Sequence, residues 1–328
     1  MPSQRKALLV IKPVPVPELG GDPAPHIARR LAEAGMACEV RPTRRDLSAF
    51  QVVRQAMEAG ERPDLVIAAG GDGTHGPAGA ALAGTGIPLG LIALGTFNNL
   101  ARSVAVPREV DTALDVIAVG HTRTIDAGRV NDRLFFEVAG AGWDATLFPV
   151  GESLKRGNVA AAVGALRHML RFRTDDIRLR LDGEREVVSR TPTVVVANGP
   201  YFGSAFAVAP TSQLDDGLLS VMLFEGFGRA ALLAYFASMA EGRARPDPRA
   251  VTHRAAKVEI VSPAGLPSHA DGEPVGPLRT PFEAVPQALT VFAPPLAPPA
   301  ELRTTMRWSA RDLKEPRPDP ARTAQWQR

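Results

Sequence analysis

From residue 7 to residue 120, short apolar runs alternate with stretches of helical character, and no other feature of the chain restricts its fold as much. Strands are expected at 7–11, 37–43, 64–69 and 88–94, with helices at 26–35, 46–60, 76–83, 98–104 and 107–120. Strands that alternate with helices form a parallel sheet covered on both faces. Such strands are apolar on both sides, as "LVIAA" and "PLGLIAL" are. The first region is therefore predicted to be α/β, a doubly wound parallel sheet.

After about residue 122 the pattern changes. "RTIDAGRVNDRLFFEVAGAG" reads as strand, turn, strand, and "DIRLRLDGEREVVSR" alternates at period two around Asp182-Gly183, a strong hairpin signal. "TPTVVVANG", "LLSVMLFEG", "AKVEIVS" and "ALTVFAP" continue the β character, and only 153–173 and 228–241 read as helices. The second region is thus expected to be mainly antiparallel. From residue 300, "EPRPDPAR" has the composition of a mobile extension.

Composition removes several classes of function. The chain has 328 residues and a formal charge of +3. Seven basic and four acidic residues of 300–328 supply that whole excess, so the charge argues against a nucleic-acid partner. A lone Cys38 excludes an intrachain disulfide framework and a Cys-based zinc site, and the six His residues form no HExxH. The opening apolar run stops at Lys12, short of a secretory signal, and no run approaches the ~18 residues of a spanning helix. A cytoplasmic protein is expected, with a homodimer left open.

Ligands of a doubly wound sheet bind at the carboxyl ends of its strands. Strand 64–69 ends there in Gly70-Gly71-Asp72-Gly73-Thr74. Without Cβ atoms this backbone can approach a ligand and turn its N–H groups inward. Pro77 suits a first helical position, and the helix N-terminus favours an anion such as phosphate. Asp72 would repel phosphate unless a cation lies between, or unless it binds a hydroxyl or amine instead. "PLGLIALGTFNNLARSV" repeats the arrangement on the next strand, with Gly95-Thr96 and two Asn. "GDGTHG" matches GxGxxG, but no acid ends the following strand as a dinucleotide site requires, and no Walker A sequence occurs.

"GGDGT" followed by "LGTFNNLAR" resembles the diacylglycerol kinase catalytic family, which includes bacterial lipid kinases and sphingosine kinases. NAD kinases and phosphofructokinases share the first turn. "FFEVAGAGWDA", "VVVANGPYFGSAFAVAPTSQLDDGLLSV", the "EG" at 241–242, "ADGEPV" and "VPQALTVFAP" continue the likeness over roughly residues 6–295. The resemblance implies a nucleotide-binding α/β domain of the NAD kinase and phosphofructokinase type (1–124, with a strand returning at 284–298). It also implies a β-sandwich domain (125–283), leaving 299–328 as a tail. It further implies an ATP- and Mg²⁺-dependent kinase with a lipid substrate, diacylglycerol first, and transient contact with the inner face of a membrane.

By the same resemblance Gly70, Gly71, Asp72, Gly73, Thr74, His75, Gly76, Thr96 and Asn98 line the nucleotide, joined by Thr43 and Lys12. "QLDDGL" resembles a magnesium loop in which Asp216 gives a carboxylate and Gln213 and Leu218 give carbonyls. Glu273 would be the catalytic base, with Asp271 as partner or replacement. A second "DGE" at 182–184 has the same spacing, and family position alone chooses between the two.

The chain departs from the family in three places. "IKPVPVPELGGDP" lacks the usual Asn-Pro and Ser-Gly, Pro77 replaces a common Glu, and Asn99 replaces a frequent Asp. Two missing acids leave metal placement open, together with an inactive nucleotide-binding regulator or lipid sensor and, more distantly, an NAD kinase. The five Arg/Lys of helix 154–173 suit either an anionic membrane or a solvated face. Helix 229–242 suits core packing or an acyl-chain groove, and Trp143 suits burial better than ligand stacking.

Overall fold

A computed structural model describes residues 4–60, 62–143, 175–202, 206–240, 247–261 and 266–295. The helix expected at 153–173, the "EG" at 241–242 and the tail from 299 lie outside these residues. Met1–Pro294 forms one compact unit.

The first region alternates as expected: β1 (Arg5–Ile11), α1 (Pro23–Glu33), β2 (Met36–Pro42), α2 (Ala49–Glu58), β3 (Leu65–Gly70), α3 (Asp72–Leu82), β4 (Leu89–Ala93), α4 (Asn99–Ser103) and α5 (Val110–Val119). Side chains leave a strand on alternating faces, so each strand feeds two cores. Leu8, Val10, Val66, Ala68 and Leu91 pack beneath α2 and α3, while Leu9, Ile11, Ile67, Ala69 and Ile92 pack against α1 and α5. Local chemistry starts the helices. Asp22 caps α1 through the Ala24 N–H (3.0 Å), and Ser48 forms a capping box with Gln51 on α2.

The second region contains β5 (Thr122–Val130), β6 (Arg133–Phe135), β7 (Val138–Gly142), β8 (Asp175–Leu181), β9 (Arg185–Thr191), β10 (Thr193–Ala197), β11 (Tyr201–Phe202), β12 (Phe206–Ala207) and β13 (Leu219–Phe224). After α6 (Arg229–Ala240) come β14 (Ala250–Ala255), β15 (Lys257–Ile260), β16 (Ser268–Ala270), β17 (Glu273–Pro274) and β18 (Phe282–Phe292). One sheet runs β2-β1-β3-β4-β18-β15-β8-β9, with β5 also paired to β18, and a second runs β14-β13-β10-β7-β16-β17. The last strand joins the two regions. β18 meets β4 in parallel at Val291 and Leu89, runs antiparallel to β5, and pairs with β15 at its other end.

The two sheets enclose Val130, Phe135, Ile177, Leu179, Val194, Val196, Val221, Leu223 and Phe282. Each such buried side chain contributes roughly 1.5–3 kcal/mol from its removal from water. The far face of the second sheet packs under α6, where the Phe224 and Phe236 ring centroids lie 5.1 Å apart. Leu232 is fully buried and anchors α6 on this face, and Trp143 is buried beside Phe236.

The start of α3 differs from the sequence expectation. The helix begins at Asp72, not at 76, and Pro77 lies inside it. Gly71 supplies the extended N-cap backbone (φ −110°, ψ −166°). The N–H that proline lacks would have bonded the Gly73 carbonyl, and Gly73 is exposed, so water can serve that oxygen.

Candidate active site

Four strand ends converge on one edge of the parallel sheet. The Lys12 N–H donates to the Ala69 carbonyl (2.9 Å) and the Thr43 N–H to that of Ile11 (2.8 Å), which extends the ladder one residue past β1 and β2. Lys12 and Thr43 thus share an edge with Gly70, whose carbonyl accepts from Leu94 (2.8 Å) and Gly95 (3.1 Å) after β4. The turns after β3 and β4 touch backbone to backbone: a Cβ on Gly95 would stand 2.5 Å from the Gly71 Cα. Only glycine permits that approach at position 95.

No side chain caps α3, unlike α1 and α2. Thr74 and His75 donate back to the Gly71 carbonyl at 2.7 and 2.9 Å, and the first-turn amides stand at the helix's positive end. An uncapped N-terminus bordered by a glycine contact that no Cβ can enter suits a phosphate.

The polar residues of these turns divide in two. Thr74 and His75 are buried, and His75 Nε2 lies 3.1 Å from the Ile92 carbonyl, pinning α3 to β4. Burial holds the His75 imidazole below its ordinary pKa, with Asp72 opposing that shift. Asn98 accepts from the Gly95 N–H (3.0 Å) and donates to its carbonyl (2.7 Å), so both ends of its amide lock the turn. Gly73 and Thr96 are exposed, and Asp72 Oδ1 is buried with no hydrogen-bond partner.

The second sheet faces this edge through the hairpin between β16 and β17. A Cβ on Gly76 would lie 3.6 Å from Asp271 Oδ2. Asp271 and Gly272 both have positive φ (48° and 81°), as do Asp182 and Gly183 (53° and 79°). The two "DGE" stretches are therefore the same kind of tight turn, and each aspartate accepts backbone N–H groups from another segment. Asp182 does so at the surface, from Ala256 and Lys257. Asp271 accepts from Phe136 (2.9 Å), Glu137 (3.0 Å) and Val138 (3.1 Å). Burial raises the Asp271 carboxyl to about 6 although these three donors pull it down. Glu273, on β17, is exposed. Packing thus separates the pair: Asp271 faces the glycine turn and Glu273 faces solvent.

Sequence reasoning missed Glu137. Its carboxylate is 5% exposed and accepts from Asn99 Nδ2 at 2.8 Å. Burial raises its pKa well above the usual carboxylate range, and the charges of Asp271 and Asp72 raise it further. The available signal was a lone acid in the apolar run "LFFEVAGAG".

The 213–218 loop is built differently from the expectation. Asp216 is ion-paired with Arg254 and accepts the Leu218 N–H (3.1 Å), while Asp126 accepts from Gly217 (2.7 Å) and Gln287 (2.8 Å). Asp215 pairs with Arg123 (2.8 Å), and Gln213 is exposed. A guanidinium thus lies against Asp216, the one carboxylate of the expected Asp216, Gln213 and Leu218 metal set. Among the described residues no group of three or more His, Cys, Asp or Glu could hold a metal ion. Mg²⁺ carried by a nucleotide needs only one or two carboxylates beside phosphate oxygens and water. The unpartnered Oδ1 of Asp72 fits that smaller demand.

A phosphate-suited turn on a parallel sheet, faced by a carboxylate from an antiparallel sandwich, defines a two-part nucleotide-dependent phosphotransferase fold. Residues 6–130 match the diacylglycerol kinase catalytic domain, and residues 138–293 match the YegS C-terminal NAD kinase beta sandwich-like domain. A diacylglycerol kinase of Mycobacterium tuberculosis (strain ATCC 25618 / H37Rv) is 33% identical over 239 residues, which cover 70% of this chain and 77% of that relative. One from Staphylococcus aureus (strain JH9) is 27% identical over 298 residues, 89% of this chain and 93% of the relative. The chain belongs to the diacylglycerol kinase family. The fold is shared with a diacylglycerol kinase crystal structure from Bacillus anthracis (TM-score 0.66, 20% identity, 89% of this chain and 97% of that one). An NAD kinase from Archaeoglobus fulgidus in complex with ATP is more distant (TM-score 0.50, 16% identity, 88% and 93%).

Proposed function

We propose that the protein is an ATP-dependent lipid kinase that transfers the γ-phosphate to the hydroxyl of a diacylglycerol. The observation that carries this reading is the approach of Asp271 to Gly76, which sets a carboxylate against the phosphate turn. The amides of Asp72 and Gly73 and the helix end behind them hold the phosphates, with Lys12, Thr43 and Thr96 on the same edge. Thr74, His75 and Asn98 shape the turns from beneath. Asp271 accepts the proton of the acceptor hydroxyl as its oxygen bonds to the γ-phosphorus and the bond from that phosphorus to the ADP oxygen breaks. A carboxyl near 6 is ionised at neutral pH yet basic enough to take a proton. Mg²⁺, when bound with ATP through Asp72, supplies neutralising charge. Positioning and electrostatics provide most of the rate in such transfers.

Residues 1–124 with the strand returning at 284–298 act in this reading as the nucleotide domain, and 125–283 as the sandwich that presents the base. The acceptor carries acyl chains, so the protein works at a membrane surface. No helix among the described residues is long and apolar enough to cross a membrane. The test is labelling by [γ-³²P]ATP of diacylglycerol vesicles, a total lipid extract and NAD, with wild type and Asp271→Asn. Labelled diacylglycerol with wild type alone is expected. Label in NAD only would make the protein an NAD kinase, and bound ATP without product would make it a regulator.

A further inference from the structure

The strand end after β4 carries Asn99 where the resemblance expects an acid. Asn99 is 2% exposed, its Nδ2 donates to Glu137 Oε2 at 2.8 Å, and its Oδ1 is buried with no partner. Glu137 is fixed from every side. Its N–H donates to Asp271 Oδ1 (3.0 Å), and its carbonyl accepts from Asn198 (2.9 Å) and Gly199 (3.1 Å). The Asp72 carboxylate lies close enough for its charge to act on the Glu137 side chain.

Among the described residues no Lys or Arg forms an ion pair with Glu137. A buried carboxyl without a cation costs free energy that a glutamine would avoid. Glutamine would still accept from Asn99, so packing does not require the acid. An acid here suits an arriving cation.

We propose that Glu137 supplies from the sandwich side the negative charge that position 99 lacks. It is a positioning residue that acts through Asn99 and Asp72 on the divalent cation accompanying ATP. This rests on the kinase reading above. The acid then stands across the site from position 99, and the Asn99–Glu137 hydrogen bond joins the two positions.

The test uses the full chain and Mn²⁺ as probe, with binding in the presence of ADP followed by electron paramagnetic resonance. Glu137→Gln and Glu137→Asn are expected to weaken Mn²⁺ binding roughly 10–100-fold. The exchange Asn99→Asp with Glu137→Asn is expected to recover most of it, which a purely structural role would not give. Melting curves check that each variant is folded, and Glu137→Gln keeps the shape of the side chain. Wild-type binding by Glu137→Gln, or an exchange no better than Glu137→Asn alone, overturns the proposal. Lipid labelling by wild type is read separately: its absence alongside the expected Mn²⁺ pattern sinks the kinase reading and leaves the charge exchange standing.

Discussion

Replacing Gly95 with alanine should damage the site through backbone that has nowhere to go. The new Cβ would meet the Gly71 Cα at 2.5 Å, Asn98 Oδ1 at 2.9 Å and the Gly71 nitrogen at 3.2 Å. Ordinary contact begins near 3.4 Å, so the two turns must part by about 1 Å. Two of the three atoms are main chain, and Asn98 is held by both of its own hydrogen bonds to Gly95, so no side-chain rotation relieves the clash. Overpacking of this kind costs about 1–3 kcal/mol, which lowers the melting temperature by a few degrees per kcal/mol. A 1 Å displacement of the groups holding the phosphates costs about 10²-fold in rate. Gly73→Ala is the stability control, because nothing lies within 4 Å of a Cβ there. Calorimetry and ATP-dependent lipid labelling should show Gly95→Ala destabilised and about a hundredfold slower, with Gly73→Ala unchanged in melting temperature. A Gly95→Ala protein that matches wild type in both assays refutes the packing argument.

Further predictions concern the acids. Asp271→Asn should lower kcat by about 10²–10⁴-fold with ATP affinity nearly unchanged, and isothermal titration beside turnover separates the two. The base works ionised, so wild-type kcat/KM should climb as pH rises through about 6, and a flat profile from pH 5 to 7 would remove Asp271 from that role. The Glu137 carboxyl is raised above its usual 4.5, so its stabilising contribution is full below 4.5 and is lost as pH rises through the folded value. Ligand-free wild type should therefore melt progressively below Glu137→Gln as pH increases, and a constant gap would contradict the burial of the charge. At the 213–218 loop, Arg254→Ala should cost about 1–2 kcal/mol by leaving Asp216 without its donor, while EDTA leaves ligand-free wild type unchanged. A fall in melting temperature with EDTA would instead point to a metal at that loop.

The parallel half of the fold was legible because β3 and β4 are buried on both faces and so are written as unbroken apolar runs. The Asp182-Gly183 hairpin was legible because local φ preferences decide it. The continuity of the large sheet was legible only in part: the resemblance implied a strand returning near 284–298, but no local pattern encodes the pairing of β18 with β5 and β15. Pro77 misled the reading of α3, since a proline tolerated inside a helix looks in sequence like one that starts it. At the site, the glycine turns were visible as composition, whereas Asp271 and Glu273 became distinguishable only when packing set one against the glycine turn and left the other exposed. Glu137 and Arg254 stayed hidden because their importance lies in partners 38 residues away, Asn99 for one and Asp216 for the other.

Hydrogen–deuterium exchange with and without Mg²⁺·ATP tests most directly whether the two glycine turns and the Asp271 hairpin enclose the nucleotide. Protection on ATP addition should concentrate at residues 70–76, 94–99 and 268–274. ATP binding that protects other segments and leaves these three unchanged would contradict the account.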